Sequence, residues 1–355
     1  MIDRLVRQEV KATEGYKELM VPCRLKMDAN ENEWGFPADI LPLTAKEIEG
    51  LSFHRYPDSE SASLREKLAG YTGVPAENLM VGNGSDELIH YVVKTFVGAG
   101  DRVVLPLPAF SMYSFFLSLA GGVVIPVNPD EDLNIDVDRI ITAAVKEDAK
   151  VVFLCSPNNP IGSVIPLEDI KRVVENCPGI VVVDEAYYEF CGKTVIDWID
   201  RYPNLVVIRT LSKAAALAGL RVGYLAAGDD IMQYLCRVKI PFNVNAFSQY
   251  AAGKLLDNRE RIDTWLDTFK EVREDFINKL NLIEGITVFP SQTNFVLLRM
   301  EKVQSVWDSL FEKGILIRKF PGELLKDYIR VTVCPPEHNK IFIEELKRSL
   351  GEVCR

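Results

Sequence analysis

The sequence has few of the features that mark a metalloprotein, a disulfide-bonded protein or a nucleic-acid-binding protein. It contains only three histidines in 355 residues, and its seven cysteines include no Cys-x-x-Cys pair. Neither a histidine-based metal site nor a disulfide framework is therefore expected, and reduced thiols in a cytoplasm are the simpler interpretation. The formal net charge of -10 argues against nucleic-acid binding, which needs a basic face for the phosphate backbone.

Long apolar runs are also missing. No stretch approaches the roughly 18 consecutive apolar residues of a membrane-spanning helix, so no membrane partner is expected. Residues 1–20 carry charges throughout and lack the apolar centre of a signal peptide. What is present is a chain that is 48% hydrophobic and 26% charged, with room for one large globular domain and a smaller one. We expect a cytoplasmic protein.

Helical and strand patterns alternate between residues 60 and 225. Six short runs are apolar on both faces, as expected for buried strands of a parallel sheet. Helical patterns, including those at 61–71 and 85–97, lie between most of them, which predicts an α/β fold with helices on both faces of the sheet. The predicted strands are 102–105, 123–127, 150–154, 179–183, 205–208 and 222–226.

A long, charged helical pattern at 245–282 predicts a link to a second, smaller α/β domain. We expect an N-terminal arm at residues 1–30, which packs with the small domain and a partner subunit. A large cofactor-binding domain at 31–250 and a small domain at 251–355 follow it. In the small domain, the predicted strands are 287–289, 294–298, 315–318 and 328–333, and the predicted helices are 303–313 and 338–350.

Lys213 is the most informative residue of the chain. It follows a predicted buried strand, stands beside Ser212, and precedes Arg221 by eight residues. A lysine can form a Schiff base with an aldehyde cofactor, while a serine and an arginine can hold that cofactor's phosphate. The pattern therefore suits pyridoxal 5'-phosphate, although a Ser-Lys pair alone is more often a solvated surface feature.

Polar residues also follow other predicted strands, at the edge where ligands bind in open α/β sheets. Asn159 follows the strand at 150–154, and Asp184 and Tyr187 follow the strand at 179–183. A buried aspartate would keep the pyridine nitrogen of the cofactor protonated, and the amide and phenol could bind its phenolic oxygen. Each feature alone is compatible with a turn or a helix cap, but together they favour a cofactor site.

The predicted helix at 85–97 offers a phosphate site, because free N–H groups and the helix dipole attract anions to a helix N-terminus. Tyr113 could stack on the cofactor ring, and a buried core aromatic is the equally weighted alternative for it. The candidate phosphate ligands are Gly84, Ser85, Asp86, Ser212 and Arg221.

This set of residues resembles the fold-type I pyridoxal-phosphate-dependent aminotransferases of class II, and within them the histidinol-phosphate aminotransferase subfamily. The resemblance runs from residue 29 to residue 339 and implies a three-layer α/β sandwich with a mostly parallel sheet, plus a smaller α/β domain. The motifs that carry it are Arg-Tyr-Pro-Asp at 55–58, Gly-Asn-Gly-Ser-Asp-Glu at 82–87, Asp-Glu-Ala-Tyr-Tyr-Glu-Phe at 184–190 and Lys-Ile-Pro-Phe-Asn-Val at 239–244.

The resemblance implies transfer of an amino group between glutamate and imidazole acetol phosphate, in histidine biosynthesis. Lys213 would be the catalytic residue that moves a proton from the substrate α-carbon. A free lysine has a pKa of about 10.4, and burial beside Arg221 would lower it as this role requires. The resemblance also implies that Tyr56 reaches the cofactor phosphate of a second subunit, so a homodimer with shared active sites is expected.

On the substrate side, the resemblance assigns Arg330 to a carboxylate and Arg318 to a second anion. Asn32 is implied in substrate binding, and Tyr16 would close over the substrate from the partner. A surface charge at a strand end is the alternative for both arginines. The sequence departs from the family pattern on this side, where Glu33 replaces a common proline. Two relatives of the same fold therefore stay open, a threonine-phosphate decarboxylase-like lyase and an aromatic amino acid aminotransferase.

Overall fold

The computed structural model describes residues 2–13, 15, 19, 21–35 and 44–353. They form two β-sheets covered by helices. No helix in these ranges is both long and apolar enough to cross a membrane. The strands are β1 Leu25–Met27, β2 Leu79–Asn83, β3 Arg102–Pro106, β4 Val123–Val127, β5 Val151–Cys155, β6 Ile180–Asp184, β7 Leu205–Thr210, β8 Val222–Ala227, β9 Ile286–Val288, β10 Phe295–Met300, β11 Ile315–Lys319 and β12 Tyr328–Thr332.

The predicted helices and strands agree with the observed ones to within a few residues. The charged pattern at 245–282 forms two helices rather than one, because it is interrupted between residues 256 and 259. The α-helices are α1 Gln8–Ala12, α2 Ala45–Glu49, α3 Ala62–Thr72, α4 Ser85–Phe96, α5 Ser111–Ala120, α6 Val137–Lys146, α7 Leu167–Asn176, α8 Tyr188–Cys191, α9 Asp229–Val238, α10 Ala246–Leu256, α11 Arg259–Leu280, α12 Val303–Glu312 and α13 Pro336–Val353.

The larger sheet has seven strands in the order β2-β8-β7-β6-β5-β3-β4. Neighbours from β7 to β4 are parallel, whereas β8 is antiparallel to both β7 and β2. The prediction of a parallel strand at 222–226 is therefore wrong in direction. A parallel return needs a crossover of about a dozen residues or more, usually a helix, and the short link from β7 to β8 holds only a single 3-10 turn. This reversal brings the start of β8 to the edge where the parallel strands end.

Strand β2 was not predicted as a strand, because Gly82 and Asn83 interrupt its apolar run. A Cβ atom at Gly82 would lie 2.6 Å from Cγ of Leu88 on α4. The glycine thus lets α4 pack directly on β2. Helix α4 begins two residues after β2 ends, so its N-terminus lies at the same edge of the sheet as the ends of the parallel strands.

The smaller sheet has five strands in the order β1-β11-β12-β10-β9. Its unpredicted member, β1, comes from the N-terminal arm and pairs in parallel with β11. Antiparallel pairing of β11 with β12 sets Arg318 directly opposite Arg330. Directly opposed residues point to the same face of a sheet, so both guanidinium groups lie on one face. The predicted domain boundaries at residues 30 and 250 stay predictions.

Candidate active site

The N-terminus of α4 lies against the start of β8. The N-cap residue of α4 is Gly84, at φ 83°, and no side chain caps the helix. A Cβ atom at Gly84 would lie 2.5 Å from Nη2 of Arg221, and one at Gly223 would lie 2.6 Å from the backbone nitrogen of Ser85. Two glycines are therefore needed for this close approach. Free backbone N–H groups and a guanidinium group together form a site suited to a phosphate.

Arg221 is held in place by hydrogen bonds from its side chain. Its Nη2 donates to Oδ2 of Asp86 at 3.0 Å, and its Nη1 donates to the carbonyl of Ala218 at 3.3 Å. A carboxylate would repel a phosphate, so the side chain of Asp86 positions Arg221 rather than contacting the anion. The backbone N–H of Asp86 remains a candidate donor from the first turn of α4.

Ser212 lies at the same edge, just beyond the end of β7. It is buried, its hydroxyl accepts a hydrogen bond from Thr210 Oγ1 at 2.8 Å, and its backbone N–H donates to the same oxygen at 3.1 Å. The sheet register sets Thr210 opposite Gly223, which is in turn opposite Gly82. The ends of three strands thus bring Ser212, Arg221 and the start of α4 together.

Lys213 is turned inward and donates from Nζ to the carbonyl of Ala29 at 3.1 Å. Desolvation by burial lowers the pKa of Lys213 to about 8, and the positive charges of Arg330 and Arg221 act in the same direction. Glu31 and Asp86 oppose this shift in pKa. The sequence led us to expect Arg221 as the cation that lowers this pKa, but Arg330 has the larger effect, after burial.

Asp184, the last residue of β6, is a buried carboxylate with two hydrogen-bond donors. Its Oδ1 accepts from the backbone N–H of Ala186 at 3.0 Å, and its Oδ2 accepts from the hydroxyl of Tyr113 at 2.5 Å. Burial raises the pKa of Asp184 from 3.8 to about 6. A cation bound beside this carboxylate would stabilise its charged form.

Tyr113 does not occupy the position that the sequence suggested. Its side chain is fully buried, with its ring stacked on Phe153 at a centroid distance of 4.8 Å and edge-on to Phe110 at 5.7 Å. The prediction that this ring stacks on the cofactor is therefore corrected. Tyr113 is a core aromatic, the alternative interpretation, and its link to the site is the hydroxyl bonded to Asp184.

Asn159 and Tyr187 lie together, as expected. The Tyr187 hydroxyl accepts from Asn30 Nδ2 at 2.9 Å and from Asn159 Nδ2 at 3.4 Å. Arg330 donates from Nη1 to Asn159 Oδ1 at 2.6 Å and from Nη2 to the carbonyl of Asp28 at 2.6 Å. Burial raises the pKa of Tyr187, so its phenol stays protonated near neutral pH. Asn30 was not predicted, because nothing near it in the sequence signals a contact with Tyr187.

A buried ion pair supports the strands that carry these groups. Arg209 on β7 and Glu185 after β6 are each 2% exposed, and Arg209 Nη2 lies 2.8 Å from Glu185 Oε2. The guanidinium carbon of Arg209 lies 3.4 Å from the ring centroid of Tyr188. Removing one partner would leave a buried charge, so this pair fixes the relative position of the two strand ends. The apolar runs in the sequence gave no indication of this ion pair.

Comparison with known proteins covers nearly the whole chain. The model of the family described as aminotransferase class I and II matches residues 24–346. A histidinol-phosphate aminotransferase from Thermoanaerobacter pseudethanolicus is 46% identical over 354 residues, which cover 99% of this chain and 100% of that relative. This chain belongs to the class I and II aminotransferases. It is therefore an enzyme that depends on pyridoxal phosphate.

Two solved structures extend the comparison for this aminotransferase. The histidinol-phosphate aminotransferase of Sinorhizobium meliloti in complex with pyridoxal-5'-phosphate has the same fold, with a TM-score of 0.87, 24% identity and coverage of 98% of both chains. The L-threonine-O-3-phosphate decarboxylase of Porphyromonas gingivalis has a TM-score of 0.79 and is 26% identical, covering 92% of this chain and 99% of that one.

The residues of this aminotransferase fit the cofactor. An uncapped helix N-terminus with Arg221 suits its phosphate, and a buried carboxylate suits a protonated ring nitrogen. The amide and phenol of Asn159 and Tyr187 suit an oxygen, and Lys213 has the lowered pKa that Schiff-base chemistry needs. These residues lie at the ends of five strands and at the N-terminus of one helix.

The substrate side of the aminotransferase is less enclosed. Arg318 is half-buried, and its side chain has no hydrogen-bond or ion-pair partner among the residues that the structure describes. Asn32 is used locally, since its Nδ2 donates to the carbonyl of Ala214 at 3.3 Å and its Oδ1 accepts from the backbone N–H of Trp34 at 3.1 Å. Asn32 thereby supports the loop after Lys213, and its contact with substrate stays a prediction. Tyr16 lies outside the described residues.

Tyr56 is 82% exposed in this single chain of the aminotransferase. Its ring stacks on Phe242 at a centroid distance of 4.8 Å, and Phe242 is itself exposed. Ile240 and Phe53 are exposed large hydrophobic residues from the same two segments of the chain. These four side chains, which we call the Tyr56 patch, place apolar area at the surface.

Proposed function

We propose that this aminotransferase interconverts histidinol phosphate plus 2-oxoglutarate and imidazole acetol phosphate plus glutamate, in histidine biosynthesis. One structural observation carries the proposal. Arg318 and Arg330 face the same side of the small sheet, and Arg330 is bonded to Asn159 of the cofactor side. Two guanidinium groups at this position suit one site that must accept both a carboxylate and a phosphate.

We infer the cofactor contacts from the residue chemistry. The phosphate would be held by the backbone of Gly84 to Asp86, by Ser212 and by Arg221. Asp184 would pair with the ring nitrogen, and Asn159 with Tyr187 would bind the phenolic oxygen. When bound, pyridoxal phosphate supplies an electron-withdrawing ring that stabilises the negative charge left when the substrate α-carbon loses its proton.

Lys213 is the group that moves this proton. A pKa of about 8 leaves a substantial neutral fraction of its amine near neutral pH, so Nζ can accept the proton from the substrate α-carbon. Within the same half-reaction Nζ would deliver that proton to the C4′ carbon of the cofactor, and in the second half-reaction it would carry a proton in the opposite direction, onto the α-carbon of the second substrate. The hydrogen bond to the Ala29 carbonyl gives Nζ a fixed position, at 3.1 Å, between transfers.

The two arginines have distinct roles in this proposal. Arg330 is buried, and its fork already makes two hydrogen bonds, so it is fixed in the orientation that a glutamate α-carboxylate would meet. Arg318 is more accessible and suits the phosphate of histidinol phosphate, which lacks an α-carboxylate. Tyr16 and Asn32 are proposed to complete the substrate site.

We also propose a homodimer with shared active sites, working in the cytoplasm. The Tyr56 patch supports the dimer, because large apolar side chains at the surface mark sites of association. A second copy covering this patch would bring Tyr56 to the partner's cofactor phosphate. The six cysteine side chains in the part of the chain that the structure describes are free, and they would stay reduced in that compartment.

A spectroscopic experiment tests the reaction and its substrate together. The purified protein with bound cofactor is mixed with glutamate while the visible absorbance of the cofactor is followed, and imidazole acetol phosphate is then added. We expect the visible band to disappear with glutamate and to return with the second substrate. Recovery only with another keto acid would contradict the substrate assignment.

The two open alternatives give different products and rates. A decarboxylase would release carbon dioxide from threonine phosphate without consuming a keto acid. The solved Porphyromonas gingivalis relative is an L-threonine-O-3-phosphate decarboxylase. An aromatic amino acid aminotransferase would turn over phenylalanine faster than histidinol phosphate. Parallel assays with the three amino substrates separate these functions, and either outcome would replace the proposal.

A further inference from the structure

We propose that Tyr113 is a positioning residue that orients the carboxylate of Asp184 and holds it in the charged form required at the cofactor's ring nitrogen. The inference rests on the proposed role of Asp184 and adds a residue to it. Tyr113 lies on α5, 71 positions before Asp184 in the sequence. It would act on the cofactor only through Asp184.

The carboxylate of Asp184 has one hydrogen-bond donor on each of its two oxygens. Oδ2 of Asp184 accepts the phenol hydrogen of Tyr113 at 2.5 Å, and Oδ1 accepts the backbone N–H of Ala186 at 3.0 Å. A carboxylate offers about four lone-pair sites, so two donors leave each oxygen one further site. With one donor on each oxygen, the plane of the group is fixed while it can still accept a hydrogen bond from a ring N–H.

The donor to Oδ2, the phenol of Tyr113, is held in place by packing in the core. Tyr113 is 1% exposed, its ring stacks on Phe153 at an interplanar angle of 17°, the edge of Phe110 packs against it, and the thiol of Cys155 lies beside its hydroxyl. Phe153 lies on β5, which pairs directly with β6 and sets Cys155 beside Asp184. Core packing therefore fixes the position of the phenol oxygen beside Asp184.

The groups around Asp184 have opposing effects on its pKa. Burial favours the neutral form of Asp184, and the negative charges of Asp86 and Glu185 act in the same direction on its pKa. The hydrogen bonds from Tyr113 and Ala186 oppose them. The other titratable groups facing Asp184 are the thiol of Cys155 and the phenol of Tyr187, and burial raises the pKa of each, so both stay neutral. Tyr113 is thus the side-chain group that favours the charged carboxylate.

The test is Tyr113→Phe, which keeps the ring on Phe153 and removes only the hydroxyl. The apoprotein is titrated with pyridoxal phosphate across pH 5 to 9, and the cofactor dissociation constant is measured at each pH. A hydrogen bond to a charged group is worth roughly 10- to 100-fold in an equilibrium constant. We expect the dissociation constant to rise by about that factor, and its acid limb to move to higher pH.

Tyr202→Phe is the matched control. Tyr202 is also buried, and its hydroxyl donates to Oε1 of Glu175 at 2.8 Å, away from Asp184. This variant also loses a hydrogen bond from a tyrosine to a carboxylate, so it measures the cost of that loss to folding alone. We expect the acid limb of cofactor binding to stay where it is in the parent protein. An equal displacement of the limb in both variants would overturn the inference.

A second form of position 113 keeps the inference testable if Tyr113→Phe folds poorly. A ring-fluorinated tyrosine at this position retains the hydroxyl and makes it a stronger donor, so the acid limb should move to lower pH. Asp184→Asn distinguishes an error in the role of Asp184 from an error in the role of Tyr113. If that variant binds and turns over normally, the role of Asp184 is wrong. If it fails while both changes at position 113 leave binding and its pH profile unaltered, only the role of Tyr113 is wrong.

Discussion

The cofactor side and the substrate side of this site are built differently. On the cofactor side, Asp184 and Asn159 are buried and hydrogen-bonded within the chain, and Arg221 is paired with Asp86. On the substrate side, Arg318 is half-buried, and its side chain has no hydrogen-bond or ion-pair partner among the described residues. The cofactor side is therefore organised before any ligand binds, whereas the substrate side depends on its ligands.

The difference follows from how each side is assembled. The cofactor groups lie at strand ends of one sheet, whose register is fixed by the buried core. The substrate groups come from the small sheet and the N-terminal arm, and the proposed dimer would add residues of a second chain. Arg330 joins the two sides, because it lies on the small sheet and binds Asn159. Variants on the two sides should therefore differ in both size and kind of effect.

The largest effect is expected for Lys213→Ala. Loss of the group that attaches the cofactor and moves the proton should lower turnover by about 1000-fold or more, given that acid–base catalysis alone contributes up to about 10⁴-fold. The fold should persist, because the change removes a buried amine whose pKa is lowered. Steady-state rates and thermal melting of the variant measure the two effects. Lys146→Ala, at a side chain that is 77% exposed, is the control. Near-normal turnover in Lys213→Ala would remove the mechanism.

Asp184→Asn should lower turnover by roughly 10²- to 10³-fold, as expected when a preorganised charge is lost. Its effect on the stability of the apoprotein should be opposite in sign, because above about pH 6 the substitution should stabilise the fold. The pKa of Asp184 rises from 3.8 to about 6 on folding, so this group stabilises the fold fully below pH 3.8 and loses that contribution as pH rises through 6. Melting of the apoprotein from pH 4 to 8 should thus show a flatter profile for Asp184→Asn than for the parent. A steeper profile would contradict the raised pKa.

These two residues show what the sequence could and could not predict. Lys213 and Asp184 stand directly after apolar strands, so a local pattern was enough to place them at one edge of the sheet. The contacts of Asp184 with Tyr113 and of Tyr187 with Asn30 join residues 71 and 157 positions apart. No local pattern reports such pairs, since they depend on how helices and the arm pack on the sheet.

The direction of β8 shows the same limit. Its apolar run predicted a buried strand but not its antiparallel orientation, which is decided by the short link after Lys213. That orientation is also what brings Arg221, the residue before β8, to the phosphate site. The spacing of Ser212, Lys213 and Arg221 suggested the phosphate role of Arg221, and the topology supplies the physical reason for its position.

Arg330→Lys should have an intermediate effect, because it joins the two sides. The substitution keeps the charge but loses the planar fork that reaches Asn159 and the Asp28 carbonyl at once. Breaking a buried charged hydrogen bond costs about 2 kcal/mol or more, so kcat/KM for glutamate should fall by roughly 30-fold or more. The pKa of Lys213 should change little, since the positive charge remains. Single-turnover rates with glutamate across pH 6 to 9 measure both effects.

Arg318→Gln should have the smallest effect and the most selective one. The side chain of Arg318 makes no hydrogen bond or ion pair with the described residues, so its loss should leave folding and cofactor binding unchanged. An accessible charge pair is worth up to about 1 kcal/mol, which predicts a rise in KM for histidinol phosphate of roughly 5-fold. Glutamate has no phosphate, so its half-reaction should change less. Measuring the two half-reactions separately gives the loss with histidinol phosphate relative to the loss with glutamate. Equal losses in both would mean that Arg318 does not distinguish the phosphate from the carboxylate.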